Sequence, residues 1–415
     1  MKFVFNFFFF LILVSNSYSD NIYTKTLKDA AIRNGFDKPE NINNSFDNKK
    51  AELGEIFFKE KMLSFNSKNS CSTCHLDKFS SADGLPNAVG TRGDREGNLR
   101  IFSEGDIVPR NTLPLWGRGG KDFNVFFWDG KVEKKGNEII SQLGLFKKNY
   151  VSSDGTYKIS VKDDALITAI HLPFVEIREL VADDEEVEKH LKTEKIDAAF
   201  NIYSQIINRV KEHPEYSKKL SEAYSLTVEN LEFFHIADSI SHFIKKKFAI
   251  KNTKFSDFVF NNKDLNKEEI KGGLLFYGKG KCSTCHSGKH FSDFSFYSIP
   301  FPQLGFGKNG FGIDYGKYNT TFDVNDIYKF RTPPLYNVEK TAPYSHSGSI
   351  YKLDETIVYH FDPLRYFKSE NFSEIDRVEF YKKIVSSKKS MNQIPYLDND
   401  EVKSLVVFLK TLTFD

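Results

Sequence analysis

Two identical pentapeptides, Cys71-Ser72-Thr73-Cys74-His75 and Cys282-Ser283-Thr284-Cys285-His286, contain all four cysteines of the 415-residue chain. A C-x-x-C-H run is the attachment sequence of c-type haem: each thiol adds to one vinyl group, and the spacing places the adjacent histidine under the iron. Two other chemistries use paired cysteines. A redox disulfide has no use for a histidine directly after both pairs, and a zinc centre built from both would have to draw together two distant segments. Haem is therefore the reading for both motifs, with His75 and His286 as proximal ligands. What each haem then does depends on its opposite face: a sixth protein ligand suits electron transfer, whereas an open face admits a small oxidant. Met1, Met62 and Met391 are the only methionines, so the His/Met pairing of ordinary electron-transfer cytochromes has little support. Of the remaining histidines, His190 and His213 sit in charged helical stretches and read as solvent-exposed.

The elements that must position these motifs repeat. Ala51-Glu52-Leu53-Gly54-Glu55-Ile56-Phe57-Phe58 leads into the first, and Glu269-Ile270-Lys271-Gly272-Gly273-Leu274-Leu275-Phe276-Tyr277 into the second. Each reads as an amphipathic helix and a short loop, so the chain looks like an internal duplication whose second copy begins near Asn261. Residues 83–121, rich in Gly, Pro, Arg and Asn, predict ordered irregular loop, and residues 183–247 predict charged helices. The polar stretch 247–267 reads as the domain linker. Residues 291–330 are again Gly- and aromatic-rich loop, and residues 400–412 predict a final amphipathic helix with Val402, Leu405, Val406, Phe408 and Leu409 on its apolar side. The expected fold is mainly helical: two cytochrome c-like haem domains, 20–250 with a helical insertion and 251–415, joined to long ordered loops.

Bulk properties narrow the setting. Lys2, the apolar block Phe7 to Val14 and the small polar residues up to Ser19 have the pattern of a secretory signal peptide, with cleavage expected after Ser19 and a periplasmic mature protein. The block is much shorter than the roughly 20 residues of a membrane span, and no other stretch is long enough. A formal charge of +2 gives no electrostatic case for nucleic acid or a membrane surface. The 41 Phe and 19 Tyr could line an apolar cofactor pocket, but a Phe-, Lys- and Asn-rich chain equally reflects genome composition.

Around the motifs the chain resembles the bacterial di-haem cytochrome c peroxidase family, in particular its MauG-like branch. The likeness runs from about Ala51 to Leu412 and rests on blocks in the family's order: Leu53 to Phe58, Asp83-Gly84-Leu85-Pro86, Pro109-Arg110-Asn111-Thr112, Phe127-Trp128-Asp129-Gly130, Pro173-Phe174-Val175-Glu176, Phe330 to Val338 and Thr341 to His346. The resemblance implies that hydrogen peroxide reacts at the N-terminal haem and that the C-terminal haem stores or relays electrons. Other members carry a removable distal histidine where this chain has Asp106-Ile107-Val108-Pro109, so the first haem is expected to be open without prior reduction. By position the resemblance assigns Tyr328 as axial ligand of the second haem; an anionic, hard tyrosinate would favour the higher oxidation states of its iron. It assigns Glu176 as distal acid/base, Gln142 as a distal polar residue, Trp128 as the indole between the haems, and Asn111, Thr341 and Pro343 as ligands of a calcium ion.

The implied activity is reduction of hydrogen peroxide to water with electrons from a small cytochrome c or a copper protein. Members of the family often form homodimers. Two alternatives share the motifs: a MauG-like oxidase that modifies residues of a partner protein, and a non-enzymatic di-haem electron carrier. If both pentapeptides carry haem, a pyridine haemochromogen assay of the purified protein returns two covalently held haems per chain. The Cys71→Ala/Cys74→Ala variant returns one; a metal-free or zinc-loaded protein with no haem would sink the reading.

Overall fold

A computed structural model describes residues 22–141, 150–151, 158–159, 164–181, 196–308, 312–391 and 394–414. The expected signal peptide and Gln142 lie outside the described residues. The fold is mainly helical, with short antiparallel strand pairs. No helix among the described residues is long and apolar enough to cross a membrane.

Each motif is preceded by a helix that crosses a later one. The helix Asn48–Lys59, started by Asp47 accepting from the Lys50 amide, packs on the helix Phe233–Lys247. The helix Lys267–Tyr277, started by a capping box of Asn266 and Glu269, packs on the final helix Asn399–Lys410. Both crossings are made close by the same device. A β-carbon on Gly54 would lie 1.9 Å from the Ser239 carbonyl oxygen, and one on Gly272 would lie 2.0 Å from the Ser404 carbonyl oxygen. The helices therefore meet backbone to backbone, which only glycine permits. This is the duplication seen in the sequence, now as a repeated packing geometry.

Two apolar cores follow from the two crossings. The first gathers Phe57, Phe58, Ile236, Ile240 and Phe243 with residues of the helix Ile196–Glu212. The second gathers Phe276, Leu405 and Phe408 with Phe255 and Phe258. Two features depart from the sequence expectation. Residues 247–267 are not simply a linker: Phe255, Phe258 and Val259 share one face of a helix, Lys254–Phe260, which Thr253 caps and the second core buries. In addition, the helix at 22–33 precedes the first motif yet belongs to the second core, because Leu27 packs against Gly273 and Ala31 sits one turn beyond it.

The long loop 83–121 has only a single 3-10 stretch, Gly97–Phe102, as expected of its composition. It leads to a three-stranded antiparallel sheet, Val125–Phe126, Val132–Lys135 and Glu138–Ser141, with Val125 opposite Glu133 and Phe126 opposite Val132. Trp128, Asp129 and Gly130 occupy the connection between its first two strands, and Gly130 takes a left-handed φ of 68° there. A second pair, Phe296–Tyr297 with Phe330–Arg331, belongs to the C-terminal half. The Arg331 amide donates to the Trp128 carbonyl at 2.9 Å and its Nε to the Phe127 carbonyl at 2.9 Å, which joins the two halves.

Gly54→Ala and Gly272→Ala should each force a helix pair apart and cost about 1–3 kcal/mol. Chemical denaturation of each variant measures this, with Gly312→Ala as the control because a β-carbon there meets nothing within 4 Å. Equal stability of all three proteins would refute the close-crossing account.

Candidate functional site

Both pentapeptides form one tight turn that delivers the histidine back toward the thiols. In the first, Cys71–Cys74 is a short helix whose start is tied by the Ser70 amide donating to Thr73 Oγ1 at 3.0 Å, and the His75 amide donates to the Cys71 carbonyl at 3.0 Å. In the second, a 3-10 turn follows Lys281, and the His286 amide donates to the Cys282 carbonyl at 2.9 Å. All four thiols are unpaired. Removal from water pushes those of Cys71, Cys74 and Cys282 up to about 12, so they are neutral thiols. Among the described residues no three His, Cys, Asp or Glu side chains gather as a metal centre.

The imidazoles are held the way a metal-binding histidine is held. His75 Nδ1 donates to the Ser81 carbonyl at 2.8 Å, and His286 Nδ1 donates to the Phe291 carbonyl at 3.1 Å. Each bond fixes the ring and its tautomer and leaves the Nε2 lone pair for a ligand. Burial holds both rings neutral, at about 4, and for His286 the proximity of His360 is the next contribution. The residues present therefore fit a c-type haem at each motif.

Beside the second motif is a cavity of about 240 Å³. Cys282, Cys285 and His286 form part of its wall, with Phe276, Leu405 and Leu409 from the second helix crossing. Trp128 and Asn111 reach it from the N-terminal half. The Trp128 indole donates to the Asn111 carbonyl at 3.0 Å. Trp116, which the sequence reading passed over, also lines this cavity, packs against both cores, and donates from Nε1 to Ser80 Oγ at 2.9 Å, one residue from the carbonyl that holds His75. Tyr328 does not line the cavity. It takes a left-handed φ of 62° and donates its hydroxyl to Glu379 in a buried pair.

Near the first motif is a cluster of charges. Lys131 donates to Glu176 at 2.8 Å, and Lys308 lies 3.5 Å from Glu176 and 3.7 Å from Asp129. Arg110 pairs with Asp129 at 2.7 Å and donates two hydrogen bonds to Asp314, at 2.7 and 2.9 Å. Burial would raise the Glu176 carboxyl, but the ammonium groups of Lys131 and Lys308 outweigh it and hold it at about 2. Glu179, whose amide donates to the Glu176 carbonyl at 3.2 Å, is lifted by burial to about 7, with Lys131 opposing and the Glu176 charge adding to the lift. Glu179 lies close enough to Cys74 to raise that thiol further. Glu176 keeps 31% of its side-chain surface, whereas Asp129 and Asp314 keep 1% each, so it is the carboxylate a small solute can reach. The hydrogen-bonded ion-pair partner of Glu176 is Lys131.

Two of the three expected calcium positions meet: Asn111 Nδ2 donates to the Pro343 carbonyl at 2.6 Å, while Thr341 turns its hydroxyl to the Val338 carbonyl. At the position that lacks a distal histidine, Asp106 is held by Thr91 at 2.6 Å and by Arg92 at 2.5 Å.

A family profile described as di-haem cytochrome c peroxidase matches residues 48–264, a span that takes in the first motif, Glu176 and the first helix crossing. The chain belongs to the di-haem cytochrome c peroxidase family. It is 24% identical over 341 residues to the methylamine utilization protein MauG of Methylorubrum extorquens, covering 80% of this chain and 75% of that one. It is equally 24% identical over 311 residues to the cytochrome c551 peroxidase of Pseudomonas aeruginosa, covering 74% and 70%. These equal likenesses do not choose a branch within the family. In fold the chain is similar to the diheme peroxidase BthA of Burkholderia thailandensis, with a TM-score of 0.62 at 17% identity over 91% of this chain and 89% of that one. A MauG-like protein associated with microbial copper homeostasis has a TM-score of 0.59 at 20% identity, covering 91% and 92%.

The ion cluster of this family member has a pH signature. Burial opposes ionisation of Asp314, but Arg110 outweighs it and brings the carboxyl down to about 2. The folded value lies below the unfolded value of about 3.9, so the ionised group contributes its stability above that value and loses it as pH falls toward about 2. Arg110→Met leaves Asp129 and Asp314 without their main partner and should cost about 3–5 kcal/mol at pH 7. The loss should shrink as pH falls below about 3.9 and the carboxyls take up protons; denaturation curves showing the same loss at pH 7 and pH 3 would contradict this account.

Proposed function

We propose that this protein is a periplasmic peroxidase that reduces one hydrogen peroxide to two water molecules, taking two electrons from an external donor protein and two protons through residues beside the first motif. The observation that carries the reading is the pair Glu176 and Glu179. They stand one turn apart near the first motif, and their proton affinities are driven apart, Glu176 held low at about 2 by Lys131 and Lys308 and Glu179 lifted by burial to about 7. Two carboxyls separated in this way are the equipment of acid/base catalysis.

Haem bound at the first motif supplies the iron at which the peroxide O–O bond breaks. The chain's own residues do the rest. His75 Nε2 is presented by the Ser81 hydrogen bond. The reachable Glu176 carboxylate accepts a proton from the near oxygen of peroxide and returns it to the departing one, while Lys131 keeps that carboxylate ionised beforehand. Glu179, lifted to about 7, gives and takes a second proton close by. Trp128 and Trp116, both on the wall of the second cavity, are the aromatic groups through which electrons would pass between the halves. Calcium at Asn111, Thr341 and Pro343 belongs to the same reading, and would need the Asn111 amide turned so that its oxygen replaces the Pro343-bonded nitrogen. The donor is a small cytochrome or copper protein.

Glu176→Gln should slow the reaction with peroxide by 10²–10⁴-fold, the usual worth of a general acid/base, while both haems stay attached. Stopped-flow mixing of the ferric protein with peroxide measures this, and an unchanged rate removes Glu176 from the mechanism. Steady turnover with a small donor distinguishes the peroxidase from oxidation of a partner protein, the reading to which the MauG likeness points; in that case turnover with small donors is slow.

A further inference from the structure

We propose that His360 is the second axial ligand of the haem at the C-terminal motif, so that this site is held by two histidines, His286 and His360. The inference rests on haem occupying that motif and not on peroxide being the substrate.

Placement comes first. The helix Leu353–Val358 turns one face to the second cavity: Leu353, Thr356 and Ile357 line it, and His360 and Phe361 continue the same face at the next turn. The spacing is i, i+3, i+4, i+7 and i+8, one continuous helical stripe. His360 thus arrives in the cavity that also contains Cys282, Cys285 and His286.

Orientation comes next. His360 Nδ1 donates to the Thr356 carbonyl at 2.9 Å. This is the same arrangement that prepares His286 and His75, a ring nitrogen tied to a backbone carbonyl and the other left as a lone pair. Phe301 packs edge-on against the ring, with centroids 5.7 Å apart and planes at 81°, which fixes its rotation.

The rivals lack one or both properties. Tyr328 is off the cavity wall, its hydroxyl already given to Glu379 and its ring beside Tyr315 at 5.9 Å. No methionine is among the residues that line the cavity. His346 does line it, and its Nε2 is buried without a hydrogen-bond partner. That ring, however, is stacked flat on Phe330, with centroids 4.0 Å apart and planes at 13°, and the charges around it are Lys383, Asp314 and Arg110. Its charged neighbours are those of the ion cluster, and among the described residues no hydrogen bond ties its ring to a backbone carbonyl.

The chemical consequence is a division of labour. Two neutral imidazoles close both faces of the iron, so the C-terminal site exchanges electrons and does not meet peroxide. A tyrosinate would add a negative charge and hold the iron oxidised; a second imidazole does not.

The test uses the full-length ferric holoprotein. Electron paramagnetic resonance should show one low-spin haem that persists in Tyr328→Phe and in His346→Ala. His360→Ala should convert the signal of that one haem to high spin, and added imidazole should restore it. Near-infrared magnetic circular dichroism of the unaltered protein reads the ligand pair without any substitution: a bis-imidazole band supports the proposal, and a tyrosinate or thioether band overturns it. A low-spin signal that survives in His360→Ala, or is lost in Tyr328→Phe or His346→Ala, also overturns it. Haemochromogen counts on each protein keep the two levels apart. Two haems with the wrong ligand signature refute His360 alone, whereas fewer than two in the unaltered protein refute the haem reading and the proposal together.

Discussion

Arg110 is the group on which the rest of the arrangement depends. Its guanidinium is buried between Asp129, in the hairpin connection that carries Trp128, and Asp314, in the C-terminal half. A buried guanidinium is tolerated only if its charge is matched and its donors are used. The two carboxylates supply this match, and the guanidinium in turn keeps both ionised. Because one carboxylate comes from each half, neutralising the charge and docking the halves are the same event. Lys308 extends the constraint by reaching from the C-terminal half to Asp129 and Glu176. The Glu176 carboxylate is therefore held ionised from both halves, by Lys131 first and by Lys308 next.

The halves share a plan but not an environment. Both use a glycine to let two helices touch at the backbone just ahead of a CSTCH turn, and both orient the motif histidine through Nδ1. They differ in what surrounds that histidine. Near the first motif stand Glu176, Glu179 and two lysines; the cavity of the second is lined by phenylalanines, leucines, Arg118, Arg331 and two further histidines, with Asp293 close to His286. Paired acids and lysines are thus concentrated at one site, and a mostly apolar enclosure at the other.

The sequence was most legible where chemistry is covalent and local. The C-x-x-C-H runs announce thiols and a histidine at fixed spacing, and Gly54 and Gly272 could be seen in matching positions before their role as contact points was known. The helix Asn399–Lys410 was also readable, although Ser404 is buried in place of Val406 because it faces Gly272. Long-range matters were not readable. Nothing local says that Leu27 and Ala31 cross to the second core, or that the polar stretch 247–267 hides a helix; only the i, i+3, i+4 spacing of Phe255, Phe258 and Val259 hinted at the latter. Tyr328 was drawn from position matching, and its side chain is engaged elsewhere. His360 escaped notice because a histidine one turn beyond a short helix has no local signature. Its meaning comes from the Leu353, Thr356, Ile357 stripe and from a cavity that only folding creates.

A final constraint concerns how the two sites communicate. Both tryptophans of the chain lie at the cavity of the second motif, and each is tied by its indole N–H to a group of the N-terminal half: Trp128 to the Asn111 carbonyl, Trp116 to the Ser80 hydroxyl. A buried indole needs a partner for that N–H, and satisfying it fixes the ring. Asn111 is itself pinned to the C-terminal half, its amide donating to the His346 carbonyl at 2.8 Å and its side chain to Pro343. Ser80 is adjacent to the residue that orients His75. The hydrogen bonds that settle the indoles thus end on Asn111, which docks the halves, and on Ser80, the neighbour of the residue that orients His75, so the position of each tryptophan is tied to one or the other.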